Sequence, residues 1–277
     1  MNRLTALRPL RHPGRLRSLL LFALGLAALC PAAFAQFALA VSPPRFELKS
    51  KPGAPIREVI ELSQVDAHPG AYTVRTADWT FKPDASVDFI DALAPNSCRP
   101  WVAIERKELT VTPGRPYRFR FEVAPPADTP PTECRFAILI EGKEQAASPN
   151  MPIGLSARVG VVVYVAVGDV QPALSVVGAT VQTVNGMKVP VLKVRNDGTA
   201  HGRLGGFLKG TDASGTALEF TAATLPILPG ETRDIALGAA RPGNADAAVQ
   251  VSFPVTVRGK LEWGESGSTE IDQRFAP

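Results

Sequence analysis

Tyr117-Arg118-Phe119-Arg120-Phe121-Glu122-Val123 decides the fold class. Tyr117, Phe119, Phe121 and Val123 share one parity, and charged residues take the other. Successive side chains of an extended chain point to opposite faces. This is therefore a strand with one dry and one wet face, the pattern of an antiparallel sheet. Residues 59–62, 72–75, 134–140 and 189–194 read the same way, and helical periodicity is nearly absent. Pro52-Gly53, Pro69-Gly70, Pro113-Gly114, Asp197-Gly198 and Pro229-Gly230 punctuate these runs. Asn185-Gly186 suits a two-residue hairpin turn, because both central residues there need positive φ.

The first stretch stands outside this pattern. Arg3, Arg8, Arg11, Arg15 and Arg17 come without an acidic residue, an apolar run covers 19–29, and Ala33-Phe34-Ala35 follows. That order predicts a secretory signal peptide over 1–35, cleaved after Ala35 or, as the second choice, after Ala40. The apolar run is too short to span a bilayer. Cys30 lacks the small preceding residue that a lipoprotein site wants, since Leu29 is there. Five of the 30 basic residues belong to this leader and none of the 26 acidic ones, so the remainder is close to neutral. The high pI is then no argument for nucleic-acid binding, which wants a basic patch on the folded part. Residues 159–167 are apolar but short and read as a buried strand, so no membrane insertion of the mature chain is expected.

Short strands with regular turn signals indicate sandwiches or barrels. The expected fold class is all-β, with two immunoglobulin-like sandwiches over 36–168 and 169–277 and a hinge at Gly168-Asp169. Beyond the leader, Cys98 and Cys134 form an even pair, read as a disulfide in an oxidising compartment, with two buried free thiols as the alternative. Such a bridge closes roughly 36 residues and restricts the unfolded chain by about 4 kcal/mol.

Catalytic chemistry is thin. His68 and His201 remain, neither in a metal-ligand spacing, and no cofactor or metal is expected. A Ser-His-Asp site using His201 and Asp197 lacks any Gly-x-Ser-x-Gly turn, so His201 reads as a loop residue beside Gly202. Gly202, Gly205, Gly206 and Gly210 read as strand punctuation, because no helix follows to hold an anion. The chain is not expected to be an enzyme.

Two features point to a partner. Residues 144–152 read as an exposed loop, followed by one long strand over 153–167. In it Ile153, Leu155, Ala157, Val159 and Val161 share one parity, with Arg158 on the other. An apolar strand on a sheet edge is an aggregation hazard unless it is kept for a partner. An ordinary core strand is the alternative reading. The second feature is Arg45, in a first strand over 41–48. It is either a solvated edge residue or one facing a cleft beside Arg158, where two cations would recruit a carboxylate.

An ordered set of short stretches gives the pattern a resemblance. Pro44-Arg45-Phe46-Glu47-Leu48 opens it, then Ala77-Asp78-Trp79 and Cys98-Arg99-Pro100-Trp101-Val102-Ala103-Ile104. Leu109-Thr110-Val111-Thr112-Pro113-Gly114 precedes the Tyr117 strand, and Cys134-Arg135-Phe136-Ala137-Ile138 precedes the Arg158 strand. The chain resembles the PapD-like periplasmic chaperones of chaperone–usher pilus assembly. The match covers the first half well and the second only through Val194-Arg195-Asn196-Asp197-Gly198. The resemblance implies a periplasmic chaperone that binds and caps pilus or fimbrial subunits by lending them an edge strand. Its plugs would be Ile153, Leu155, Ala157 and Val159. Arg45 matches the first of two basic residues that anchor the subunit's terminal carboxylate. Arg158 is the candidate second, where the family's better-known members carry a lysine. Partners would be fibre subunits and an outer-membrane usher. The rival expectation is an immunoglobulin-like envelope module that binds another surface or secretion partner.

Overall fold

The structure, a computed structural model, describes residues 39–277 apart from 83–85, 96, 143–144, 149–150, 156 and 185. For 145–148, 151–155 and 245–248 it describes the backbone alone. The expected signal peptide lies outside the described residues.

Twelve strands build the first half: β1 (Leu39–Ser42), β2 (Arg45–Ser50), β3 (Ile56–Gln64), β4 (Gly70–Phe81), β5 (Val87–Ile90) and β6 (Val102–Ile104), then β7 (Glu108–Val111), β8 (Tyr117–Val123), β9 (Thr132–Gly142), β10 (Gln145–Ser148), β11 (Met151–Leu155) and β12 (Arg158–Val167). One sheet runs β1-β3-β8-β6, and the other runs β2-β12-β9-β4-β5 with β7 also on β4. Between them lie Phe46, Ile60, Leu62, Phe119, Phe136 and Val163, all buried. Phe46 and Phe121 meet edge to face at 5.2 Å between centroids, tying the two sheets. Each such side chain stabilises the sandwich by roughly 1.5–3 kcal/mol on burial.

The expected first strand over 41–48 is two strands. β1 pairs antiparallel with β3, whereas β2 pairs parallel with β12 in the opposite sheet. The break falls at Pro43-Pro44, where the Ser42–Pro43 bond is cis. Proline has no N–H to give a ladder, so this is where the chain leaves one sheet for the other. Residues expected to form an exposed loop and one long strand are also rearranged. The described part of 144–152 contributes to a hairpin, β10 against β11, and the strand of 153–167 is divided at Ala157 into β11 and β12.

The outer face of the second sheet carries a smaller core of Ala77, Trp79, Ala137, Leu139 and Tyr164. β5 folds over it, and Phe89 lies on Gly160. A Cβ at Gly160 would stand 2.2 Å from the ring tip, so this position accepts no larger residue unless the ring moves.

The second half is one continuous path of strands, β13 (Leu174–Val184), β14 (Met187–Asn196), β15 (Gly205–Thr211), β16 (Ala217–Ala222), β17 (Thr232–Arg241), β18 (Asn244–Ala248), β19 (Val255–Trp263) and β20 (Gly267–Phe275). Their order is β13-β14-β17-β16-β15-β19-β20, with β18 on β17. β17 serves both layers, pairing β14 through Ala236 and β16 from Leu237 onward. The path thus doubles back on a core that includes Leu192, Leu208, Phe220, Ile235, Val257 and Phe275. The structure is all-β, as the alternation predicts.

Asn196, fully buried, ties this core to the chain that enters it. Its Oδ1 accepts from the N–H groups of Ala173 and Gly198, and its Nδ2 donates to the carbonyls of Ala200 and Ile227. Asn196→Ala leaves these four backbone groups without that partner. We expect a loss of about 3 kcal/mol, read from the midpoint of urea unfolding at unchanged slope.

Candidate functional site

β12 is paired on both sides over only part of its length. β9 runs along all of it, from Arg158↔Glu141 to Val167↔Thr132. On its other edge the pairing with β2 starts at Val162↔Arg45. The Val162 N–H donates to the Pro44 carbonyl at 3.3 Å, which fixes which residues point that way. Alternation then turns the backbone groups of Arg158 and Gly160 toward the same edge. Among the described residues nothing pairs with that edge there. β11, which precedes it, pairs with β10 alone among the described strands. The chain from Arg158 to Val161 therefore offers an edge beside the core.

Parity continues the core outward along β12. Val161, Val163, Val165 and Val167 are fully buried, and Val159 and Ala157, of the same parity, are half-buried. Ile153 and Leu155 lie in β11, where the backbone alone is described.

Arg45 and Arg158 lie on the outer face of this sheet, but not side by side. Arg45 is opposite Val162, four residues along β12 from Arg158, which is roughly 13 Å of strand. Phe89 on Gly160 lies between those positions. Each guanidinium already has a carboxylate: Arg45 Nε meets Glu47 at 2.9 Å, and Arg158 Nε meets Glu141 at 2.5 Å. Glu141 also accepts from Arg75. Both arginine side chains are about half exposed, at 48% and 46%.

Glu47 leads to a cluster that the sequence hid. Its Oε1 lies 3.4 Å from Arg203 Nε and 3.6 Å from His201 Nε2, both carried by the loop before β15. The other ring nitrogen, Nδ1, is 2.8 Å from Glu133 Oε2, and the His201 backbone N–H donates to Glu133 Oε1 at 2.8 Å. The ring stacks on Tyr164 at 3.9 Å, and the Arg203 guanidinium lies over the same tyrosine at 5.8 Å. These groups line a cleft of about 350 Å³ between the sandwiches. Leu228 packs on the Trp79–Tyr164 core beside it, and Arg233 lies over Phe81 at 4.9 Å. Lys49 pairs with Glu265 at the exposed rim.

The electrostatics follow from these neighbours. The His201 ring, against the cost of partial burial and with help from Arg203 and Arg45, holds the Glu47 carboxyl down at about 2. Burial works against a charged His201, but its bonds to Glu133 and then Glu47 outweigh burial and raise its pKa. Burial pushes the Tyr164 hydroxyl up to about 12. His201 is therefore neither a plain loop residue nor half of a dyad with Asp197, whose carboxylate pairs with Arg195. The partners of His201 are far away in sequence, so spacing carried no signal.

Cys98 and Cys134 stand as free thiols, both buried and facing each other. Burial, then the neighbouring thiol, raise the Cys98 pKa. The fold supplies proximity; joining the sulfurs needs an oxidant. Asp78 nearby is 4% exposed and accepts from Ser97 Oγ at 2.6 Å, the Ala94 N–H at 2.9 Å and Arg99 at 3.4 Å. That contact locks the segment carrying Cys98 onto β4. No group of three or more His, Cys, Asp or Glu among the described residues is set to hold a metal ion. No described helix is long and apolar enough to cross a membrane.

The Tyr164 hydroxyl is buried without a hydrogen-bond partner among the described residues. Removing an unsatisfied buried polar group costs nothing in lost bonds. Tyr164→Phe should leave thermal stability unchanged or raise it by the equivalent of about 1 kcal/mol, measured by calorimetry.

No protein-family model matches the sequence, and no curated protein matches it. Among solved structures it is similar to the class 5 fimbriae chaperone CfaA, with 13% identity over 86% of this chain and 99% of that one, at a TM-score of 0.47. It is similar to the Pseudomonas aeruginosa CupB2 chaperone, with 10% identity over 86% and 100% and a TM-score of 0.45. A third is a Salmonella enterica SafA pilin in complex with the SafB chaperone, with 13% identity over 86% and 96% and a TM-score of 0.45.

Proposed function

We propose that the chain is a periplasmic chaperone that lends the edge from Met151 to Val161 to an incomplete pilus or fimbrial subunit. The observation that carries this reading is the partial pairing of β12, whose outer edge meets β2 only from Val162. A sandwich that leaves such an edge beside its core needs a reason, because an unpaired edge is a template for another chain. A subunit missing a strand supplies one: backbone pairs with backbone, and alternate apolar residues fill pockets. In this reading Ile153, Leu155, Ala157 and Val159 are the plugs, continuing the row of Val161 and Val163. Arg45 anchors the subunit's terminal carboxylate, and Arg158 is a second cation on the same face, too far along β12 to share one carboxylate with it. Glu47 already pairs with Arg45, so the subunit's carboxylate joins or displaces an existing contact. The role needs binding and no bond chemistry, so the chain is not an enzyme. The usher is the second partner in this reading, and the two domains meet at Gly168-Asp169.

Hydrogen exchange tests the edge. The amides of Arg158 and Gly160 should exchange freely in the isolated protein and become protected when it is co-purified with a co-expressed fimbrial subunit. Slow exchange at both before any subunit is present would sink the proposal. In the same co-expression, Arg45→Ala should abolish subunit recovery while its own melting curve stays unchanged; undiminished recovery removes the anchor role.

The compartment gives the cysteines an oxidant, and we place a Cys98–Cys134 bridge in the exported protein. Thiol titration in denaturant without reductant should then find none free, and two free thiols would refute the bridge.

A further inference from the structure

We propose that His201 is a proton-controlled clasp between the two sandwiches, closed when its ring is charged. The geometry points to this directly. A neutral imidazole has one N–H, yet both ring nitrogens face a carboxylate oxygen, Nδ1 toward Glu133 at 2.8 Å and Nε2 toward Glu47 at 3.6 Å. Either neutral tautomer turns a lone pair on a carboxylate. Only the imidazolium, with two donors, suits both. Its charged ring lies flat on Tyr164, a face that favours a cation.

Every element packed around the ring contributes to the balance. From β2 come Glu47, with Arg45 paired to it, and Lys49 at the rim. From β9 comes Glu133, with Arg135 lying over Trp79 beyond it, and from β12 comes Tyr164. The loop of His201 adds Arg203, which opposes a second cation but is itself paired with Glu47. The turn after β19 adds Glu265, occupied by Lys49. Glu133 decides the outcome. Its side chain is 7% exposed, and among the described residues its ion pair is with His201. Loss of the His201 proton leaves that carboxylate in the joint without a countercharge, which is costly in a water-poor site.

The sign follows. His201 has a raised pKa, so its contribution is complete below the ordinary histidine value of about 6.5 and fades as pH rises through the folded-state value. Glu47, held down at about 2, sets the other limit: its contribution is present above the ordinary carboxyl value and is lost as pH falls toward 2. The joint is tightest in weakly acidic solution and loosens toward alkaline pH. Four further contacts across it, Leu228 on the Trp79–Tyr164 core, Arg233 on Phe81, Arg203 with Glu47 and Lys49 with Glu265, keep the halves associated when the clasp opens. What changes is the freedom of one sandwich against the other.

The test uses the protein alone. Ring-labelled histidine is followed by NMR from about pH 5 to about pH 9, with His201 assigned by the signal missing in His201→Gln. The His201 ring should titrate above about 6.5 and fall toward that value in Glu133→Gln. The melting-temperature difference between wild type and His201→Gln should shrink through the same titration. Residual dipolar couplings of the wild type should report a change in the relative orientation or order of the sandwiches between about pH 5.5 and about pH 8.5. Titration at or below the ordinary value, a difference in melting that ignores pH, or identical couplings at both pH values would each overturn the clasp. Should His201→Gln fail to fold, the titration in wild type and Glu133→Gln decides the matter unaided.

Discussion

A strand in a sheet has two rows of backbone groups to satisfy, and β12 satisfies one of them along its whole length and the other only from Val162. The unpaired edge of the first sandwich follows from that inequality. The valines of β12 close the core, so the strand cannot be dispensed with. Its neighbour β2 begins late because the chain spends residues 39–42 in the opposite sheet and turns through two prolines before reaching β12. The edge is thus a by-product of how the first strand divides itself between layers.

The same late start sets the charges. β2 opens with Arg45, so the first guanidinium of the strand stands where the pairing begins, and Glu47, one step inward on the same face, reaches toward the second sandwich. A short chain of contacts then runs from the edge into the joint: Arg45 to Glu47, Glu47 to His201 and Arg203, His201 to Glu133. The edge where β2 begins and the packing of the two halves share one carboxylate.

Much of this was legible in the residues. The alternation at Tyr117–Val123 became β8 with the expected bounds, and the strands around it and the glycine turn at 186 lie where the pattern put them. Prolines 43 and 44 marked a change of sheet that a continuous apolar pattern concealed, because periodicity reports which face is dry and not which neighbour is paired. The same limit hid the break at Ala157 and the separation of Arg45 from Arg158, since register across strands has no trace in a single chain's spacing. The joint was the least readable part. His201 meets Glu133 and Glu47 from a different sandwich, and a lone histidine beside a glycine has no local mark of a buried ion pair. Asp78 was the same kind of case, a carboxylate in an apolar run whose partners Ser97 and Arg99 arrive from a later loop.

The parallel union of β2 with β12 also has a kinetic side. Arg45 finds Val162 only after roughly 120 residues more of chain are available, which is a non-local contact of the kind that slows β-sandwich formation. Until then Phe46 and Leu48 have no partner strand in their own sheet. A chain delivered N-terminus first must therefore leave β2 without its partner strand until β12 arrives, while β3, β8, β4 and β9 already have theirs.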